Sequence, residues 1–183
     1  MARAVRIALV GLGDIALRAH LPAILREPRA ELVALVEPDP ERREAAAGLV
    51  PGVAAHAALE ATRDHVDAVV LATPAWVTPG LAQTALAAGR YVLAEKPLAP
   101  TLDACARILA TARARGRVFM VAENAQYWPE VLTVRELIGA GAIGDVVTAR
   151  AATFFPALGD FYGGDRPWRF DRAAAGGGVV IDT

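Results

Sequence analysis

The sequence holds one cysteine, Cys105, in 183 residues, so no disulfide can form within it, which fits a reducing, cytoplasmic setting. It also lacks a charge excess: 19 Lys and Arg stand against 20 Asp and Glu, for a net charge of −1. That balance gives no electrostatic footprint for nucleic acid or an anionic membrane surface. No apolar run reaches the roughly 18–20 residues of a membrane span. The opening MARAVRIALVGLG mimics a signal peptide, but its apolar run is short and breaks at a glycine loop, so it reads as a first strand. No repeat of fixed period and no low-complexity stretch is present, and no metal site is read. What is abundant is apolar residue, 55% of the chain, enough for one good core or one core and part of another.

The apolar residues come in short β-branched runs: VRIALV (5–10), ELVALV (31–36), DAVVLA (67–72), YVLA (91–94) and VFMVA (118–122). Continuous runs of this length suit strands buried on both faces of a parallel sheet. Helical patterns lie between them. Residues 40–47 follow Pro38 and Pro40 and stop at Gly48, and residues 79–88 start after Thr78 and stop at Gly89. The segment 101–115 opens on Thr101 as N-cap, with Asp103 in its first turn, and ends at Gly116. In it Leu102, Cys105, Leu109 and Ala112 share one face, which makes Cys105 a small core residue rather than a reactive thiol. Alternating strands and helices predict right-handed crossovers and a doubly wound α/β sheet. The texture changes near 121–125, where a domain boundary is expected. Beyond it, 128–144 reads as a helix opened by Pro129, and DVVTARAATFF (145–155) as a longer strand. A loop rich in Gly, Pro, Asp and aromatics (156–171) and AAAGGGVVIDT complete the chain.

GLGDIA (11–16) follows the first strand directly and fits G-x-G-x-x-[GA]. Gly11 permits the tight turn, Gly13 lets backbone approach a pyrophosphate, and Ala16 lets the helix pack close. With Asp14 and Ile15 they form the phosphate-binding loop, and the helix start offers free N–H groups. The motif is weak by itself but stands in its strand–turn–helix context. The next strand ends at Glu37, whose carboxylate can accept from both ribose hydroxyls and would repel a 2′-phosphate, which favours NAD over NADP. Arg42 and Arg43 nearby keep NADP open, and a surface Glu beside Asp39 is the plainer reading of Glu37. Two more strand ends share this carboxyl edge. ATPAW (72–76) brings Thr73 and Pro74 under a cofactor and Trp76 against its ring, while AEKP (94–97) brings Glu95 and Lys96 to a place where charges can face a polar ligand. A buried strand has no structural use for such a pair, because desolvating two charges costs several kcal/mol.

With these motifs in order, followed by HLPAI (20–24), AGRYVLAEKPLA (88–99), AENAQYWPEV (122–131), GAIGDVVTAR (141–150) and GGGVVID (176–182), the chain resembles the Gfo/Idh/MocA oxidoreductases over its whole length. The resemblance implies a Rossmann domain over 1–122, and over 123–183 the incomplete start of an open-sheet α/β domain for substrate binding and oligomerisation. It implies NAD(P)-linked oxidation or reduction of a sugar, polyol or related carbonyl, with a homo-oligomer forming through the C-terminal sheet. It gives Lys96 the reacting hydroxyl and Glu95 the nicotinamide ribose. Asn124, Trp168 and Arg169 fall in stretches expected on the cofactor side, although the last two read equally as a loop anchor. Asp182 matches a substrate-site aspartate. A surface ion pair is the bland alternative for Glu95 and Lys96.

The chain also departs from the pattern. Thr78 stands where the family often has a histidine, and no arginine lies near Gln126; both bear on substrate choice. His20 of HLP is expected to be structural, and His56 and His65 to lie at the surface. The family's proton-accepting histidine would fall just past Thr183, so the chain is expected to be the N-terminal part of a longer enzyme. It should bind the dinucleotide through 1–122 without turnover, one sheet face and edge being left open. A non-catalytic dinucleotide sensor is the main alternative. A methyltransferase also uses a glycine loop and a ribose-binding acid, but EKP has no role there.

Overall fold

The structure, a computed structural model, describes residues 3–152 together with Asp171 and Gly177. Its first unit is built on a six-stranded parallel sheet in the order β3-β2-β1-β4-β5-β6. The strands are β1 (Val5–Val10), β2 (Ala30–Val36), β3 (Ala54–His56), β4 (Ala68–Leu71), β5 (Tyr91–Ala94) and β6 (Phe119–Val121). The five strands read from apolar runs are all present. The edge strand β3 is an addition: AAH is short and half exposed, with no apolar run to announce it.

Side chains alternate across the sheet and divide the core into two layers. On one face Ala8, Val10, Val36, Val69, Leu71, Val92 and Ala94 meet helices α3 (Thr78–Ala87) and α4 (Leu102–Arg115) through Ala82, Leu86, Ile108 and Ala112. On the other, Leu9, Leu35 and Val70 meet α1 (Leu21–Arg26) and α2 (Pro40–Leu49) through Leu21, Ile24 and Ala46. The sheet is therefore covered on both sides, as the continuous apolar runs require. Helix ends follow local chemistry. Asp39 accepts from the Arg42 N–H at 2.9 Å and Thr101 from the Ala104 N–H at 3.2 Å. Gly116 closes α4 at φ +58°, where a side chain would be strained.

Four features differ from expectation. Helix α2 runs through Gly48 to Leu49, one glycine being a small cost inside a packed helix. The inward face of α4 is Ala104, Ile108 and Ala112, whereas Leu102 and Leu109 are exposed and Cys105 is half-buried. The sheet accepts small residues there, and the larger leucines turn outward. In the second unit, which begins at Glu123, α5 (Pro129–Gly139) ends five residues early, and 145–152 is not strand. A strand needs a partner for its N–H and C=O groups, and none pairs with 145–152 among the described residues. The apolar side chains of Val134, Leu137, Ile138 and Val147 are exposed. Among the described residues no helix is long and apolar enough to cross a membrane.

The amino edge of the sheet is pinned by Asp67, immediately before β4. Its carboxylate accepts from the Arg6 N–H at 2.9 Å, the Arg6 guanidinium at 3.0 and 3.1 Å, and Arg3 at 3.0 Å. The Asp67 N–H and the Arg6 carbonyl close the ring at 2.9 Å and set the β1–β4 register. The Arg6 side chain, then its N–H, hold the Asp67 carboxyl well below the usual carboxylate range. A depressed carboxylate stabilises the fold above its unfolded pKa of about 4 and loses that contribution as pH falls toward its folded value. Asp67→Asn should therefore lower stability at pH 7 and flatten the acid limb below about pH 4, as read by urea melts across pH. An unchanged acid limb would remove Asp67 from this role.

Candidate functional site

Parallel register aligns the carboxyl ends of the strands in one row. Val10 lies opposite Val36 and Leu71, and Leu71 opposite Ala94. Consequently Gly11, Glu37, Ala72 and Glu95 each stand one residue past the end of a strand. Their N–H groups continue the ladder: Gly11 to the Val36 carbonyl at 2.8 Å, Ala72 to Val10 at 2.8 Å, Glu95 to Leu71 at 2.8 Å and Glu37 to His56 at 3.0 Å. The order of connections reverses between β1 and β4, the crevice where open α/β sheets bind ligands.

The glycine loop sits in that crevice. Gly11 has φ +81°, and a Cβ there would fall 2.6 Å from the Ala72 carbonyl oxygen and 2.8 Å from the Thr73 methyl. Gly13 differs: among the described residues a Cβ on it would meet nothing within 4 Å. One glycine is needed by the protein's own packing, the other faces open space of the kind a ligand backbone needs. Asp14 and Ile15 are exposed, and Asp14 lies 3.5 Å from Arg18 in an ion pair. Ala16 is fully buried against the sheet.

Glu37 is 6% exposed and is no free surface acid. One carboxylate oxygen accepts from the Leu12 N–H at 2.9 Å and the other from the Asp39 N–H at 3.1 Å. A carboxylate has about four lone-pair sites, so acceptor capacity remains for ribose hydroxyls. Arg43 donates to the Glu37 and Pro38 carbonyls at 2.7 and 3.0 Å, which makes it a brace of this turn, while Arg42 is exposed.

After β4, the Thr73 and Thr78 hydroxyls lie 2.8 Å apart, and the Thr78 hydroxyl is within 3.1 Å of the Thr73 and Pro74 carbonyls. Thr78 is fully buried, so at the position where the family often has a histidine this chain has a knot holding the β4–α3 corner. Ala75 is buried and Trp76 is 43% exposed. After β5, Glu95 accepts from the Lys96 N–H at 3.1 Å through one oxygen, and its other oxygen lies 2.8 Å from His20 Nε2. Both of these side chains are largely buried, and Lys96 is half-buried before a cis peptide to Pro97. The expectation for His20 missed this partner, and regular helical counting could not have found it, because it places residue 20 against the sheet. Asn124 opens a short 3₁₀ turn (Asn124–Tyr127) in the second unit, and Trp168, Arg169 and Asp182 lie outside the described residues. His56 ends β3 and His65 ends a 3₁₀ segment (Leu59–His65).

The arrangement can hold an anionic, ribose-bearing ligand across the crevice. A profile of the oxidoreductase family with an NAD-binding Rossmann fold matches residues 5–123, and the family's C-terminal domain profile matches 131–183. The chain belongs to the Gfo/Idh/MocA oxidoreductase family. It is 35% identical to a dTDP-3,4-didehydro-2,6-dideoxy-alpha-D-glucose 3-reductase of Streptomyces antibioticus, over 97% of this chain and 52% of that one. It is 31% identical to an inositol 2-dehydrogenase of Corynebacterium glutamicum strain R, over 88% and 49%. Among solved structures it resembles the WlbA dehydrogenase from Bordetella pertussis in complex with NADH and UDP-GlcNAcA, with a TM-score of 0.73 and 31% identity, over 78% of this chain and 44% of that one. The 3-ketoreductase KijD10 from Actinomadura kijaniata, in complex with NADP and TDP-benzene, gives a TM-score of 0.70 and 32% identity, over 78% and 44%. The chain spans about half the length of the curated relatives it matches.

The two glycines make opposite forecasts. Gly11→Ala should destabilise the fold by about 1–3 kcal/mol through strain and overlap, measured by thermal and urea unfolding. Gly13→Ala should leave unfolding unchanged and weaken dinucleotide binding. Equal stability losses in the two variants would contradict the contrast.

Proposed function

We propose that this family member binds NAD(H) and transfers hydride between the nicotinamide and a hydroxyl or carbonyl carbon of a sugar, polyol or sugar nucleotide. The observation that carries the reading is the single row of strand ends that gathers Gly11, Glu37 and Glu95–Lys96 at the reversal of the sheet. Names of relatives add the substrate class: dTDP-sugar reductase, inositol dehydrogenase, and a dehydrogenase seen with UDP-GlcNAcA.

The residues fit a dinucleotide. Open space at Gly13 accommodates the pyrophosphate, and Glu37 has lone pairs left for the adenosine ribose. When bound, the dinucleotide supplies the hydride or accepts it. The Lys96 ammonium would donate a hydrogen bond to the substrate oxygen, polarising a carbonyl in the reductive direction or holding the hydroxyl in the oxidative one. Glu95 would hold the nicotinamide ribose. Residues 1–122 would form the dinucleotide-binding domain and 123–183 would belong to the domain that meets the substrate.

Glu37 supports NAD over NADP, because its buried carboxylate would repel a 2′-phosphate and Arg43 is committed to backbone carbonyls. NADH should bind the unaltered protein more tightly than NADPH, and Glu37→Ser should narrow the difference, as read by fluorescence titration. Equal or tighter NADPH binding by the unaltered protein would refute the preference.

Lys96→Met should leave NADH affinity within about threefold while lowering hydride transfer by about 10²–10⁴-fold, the range for a lost acid–base group. A screen of sugars, polyols and sugar nucleotides, followed by single-turnover kinetics on whichever reacts, measures this. Collapse of NADH binding in the variant would make Lys96 a cofactor anchor instead.

A further inference from the structure

The helix that leaves the glycine loop is not regular, and the irregularity points at Glu95. Its turn Ala16–His20 is π-wound, with the Leu21 N–H bonded to the Ala16 carbonyl five residues back. Buried positions along it are Ala16, Leu21 and Ile24, at 4% exposure for Leu21 and 8% for Ile24. A straight α-helix repeats its inward face every three or four residues, which would send residue 20 against the sheet. The extra residue in the π-turn passes that place to Leu21 and releases His20 from the apolar face. Such turns are frequent at functional sites.

Strand alternation brings Glu95 to the same side. Val92 and Ala94 of β5 pack with α3 and α4, whereas Leu93 packs on the α1 and α2 face. Glu95, two residues beyond Leu93, continues that second face. There its carboxylate meets His20 Nε2 at 2.8 Å, joining residues 75 apart in the chain. An ionised carboxylate only accepts, so the contact calls for the His20 tautomer whose Nε2–H donates. The Lys96 N–H fixes the other oxygen.

We propose that His20 is a positioning residue: by donating to Glu95 it aims that carboxylate, and with it the Glu95–Lys96 corner, at the nicotinamide half of the bound dinucleotide. The inference rests on the dinucleotide reading above. On this proposal His20 acts through Glu95 and not through the phosphates or the adenosine, so its loss is specific to one end of the ligand.

ADP supplies the comparison, since it carries adenosine and two phosphates but no nicotinamide ribose. On the purified chain, His20→Ala should weaken NADH about tenfold, the scale of one hydrogen bond to a charged group, and ADP by less than about twofold. His20→Gln, which keeps an N–H of similar reach, should restore most of the NADH affinity. In a Glu95→Ala background the His20→Ala effect should vanish, because the two residues act as one unit. A second measurement needs no truncation: in the unaltered protein NADH should shift the His20 ring resonances and ADP should not. Equal weakening of NADH and ADP would make His20 a support of the glycine-loop helix alone. Additive losses with Glu95→Ala, an NADH affinity unmoved by His20→Ala, or equal resonance shifts would also overturn the proposal. Failure of the unaltered protein to bind either ligand would instead remove the dinucleotide reading, and this inference with it.

Discussion

Where β1 gives way to the glycine loop, Gly11 lies so close to the Ala72 carbonyl and the Thr73 methyl that only a hydrogen fits between them. That contact sets how near the ends of β1 and β4 can come, and the crevice between them inherits its width. Thr73, pressed from one side by Gly11, is tied on the other to Thr78, fully buried at the start of α3. The glycine loop, the β4–α3 corner and the aligned strand ends are thus one packed assembly. Loosening any part of it would move backbone groups whose positions matter to about an ångström when a ligand must be oriented.

Much of this was legible because burial on both sheet faces leaves a plain mark. Five strands appear as continuous apolar runs, and helix ends appear as glycines or, at Thr101, as a cap whose bond the structure contains, whereas the Asp39 cap of α2 went unread. β3 left no mark because an edge strand of three residues needs no apolar run. The inward face of α4 was misread because periodicity tells which residues share a face, not which face is inward. Leu102, 89% exposed, shows that size and hydropathy do not decide it. Residues 145–152 have strand composition without strand structure, since pairing depends on partners that composition cannot supply.

The site was legible in its members and not in its joints. Glycine spacing, a terminal acid on β2 and EKP after β5 named the residues. The bond from Leu12 to Glu37, the brace from Arg43 and the pairing of His20 with Glu95 required three-dimensional register. His20 is the clearest case. Counting helical positions from Ala16 puts it inward at regular pitch, and only the π-turn turns it toward a partner.

Glu37 and Glu95 occupy equivalent places. Each stands one residue past its strand, and each continues the face that carries α1 and α2, beyond Leu35 and Leu93 respectively. β2 and β5 are three strand spacings apart, about 14 Å, with the glycine loop between them. On the proposed reading of the glycine loop as a pyrophosphate site, two flanking carboxylates would oppose the ligand's charge if either swung toward it. Both are restrained: Glu37 by the N–H groups of Leu12 and Asp39, Glu95 by the Lys96 N–H and the His20 ring. Held sideways by donors, each acid keeps its charge away from the glycine loop, as the proposed dinucleotide site requires. The charges that a buried sheet would otherwise exclude thus stand at strand ends with donors of their own, and for Glu95 one of those donors is His20.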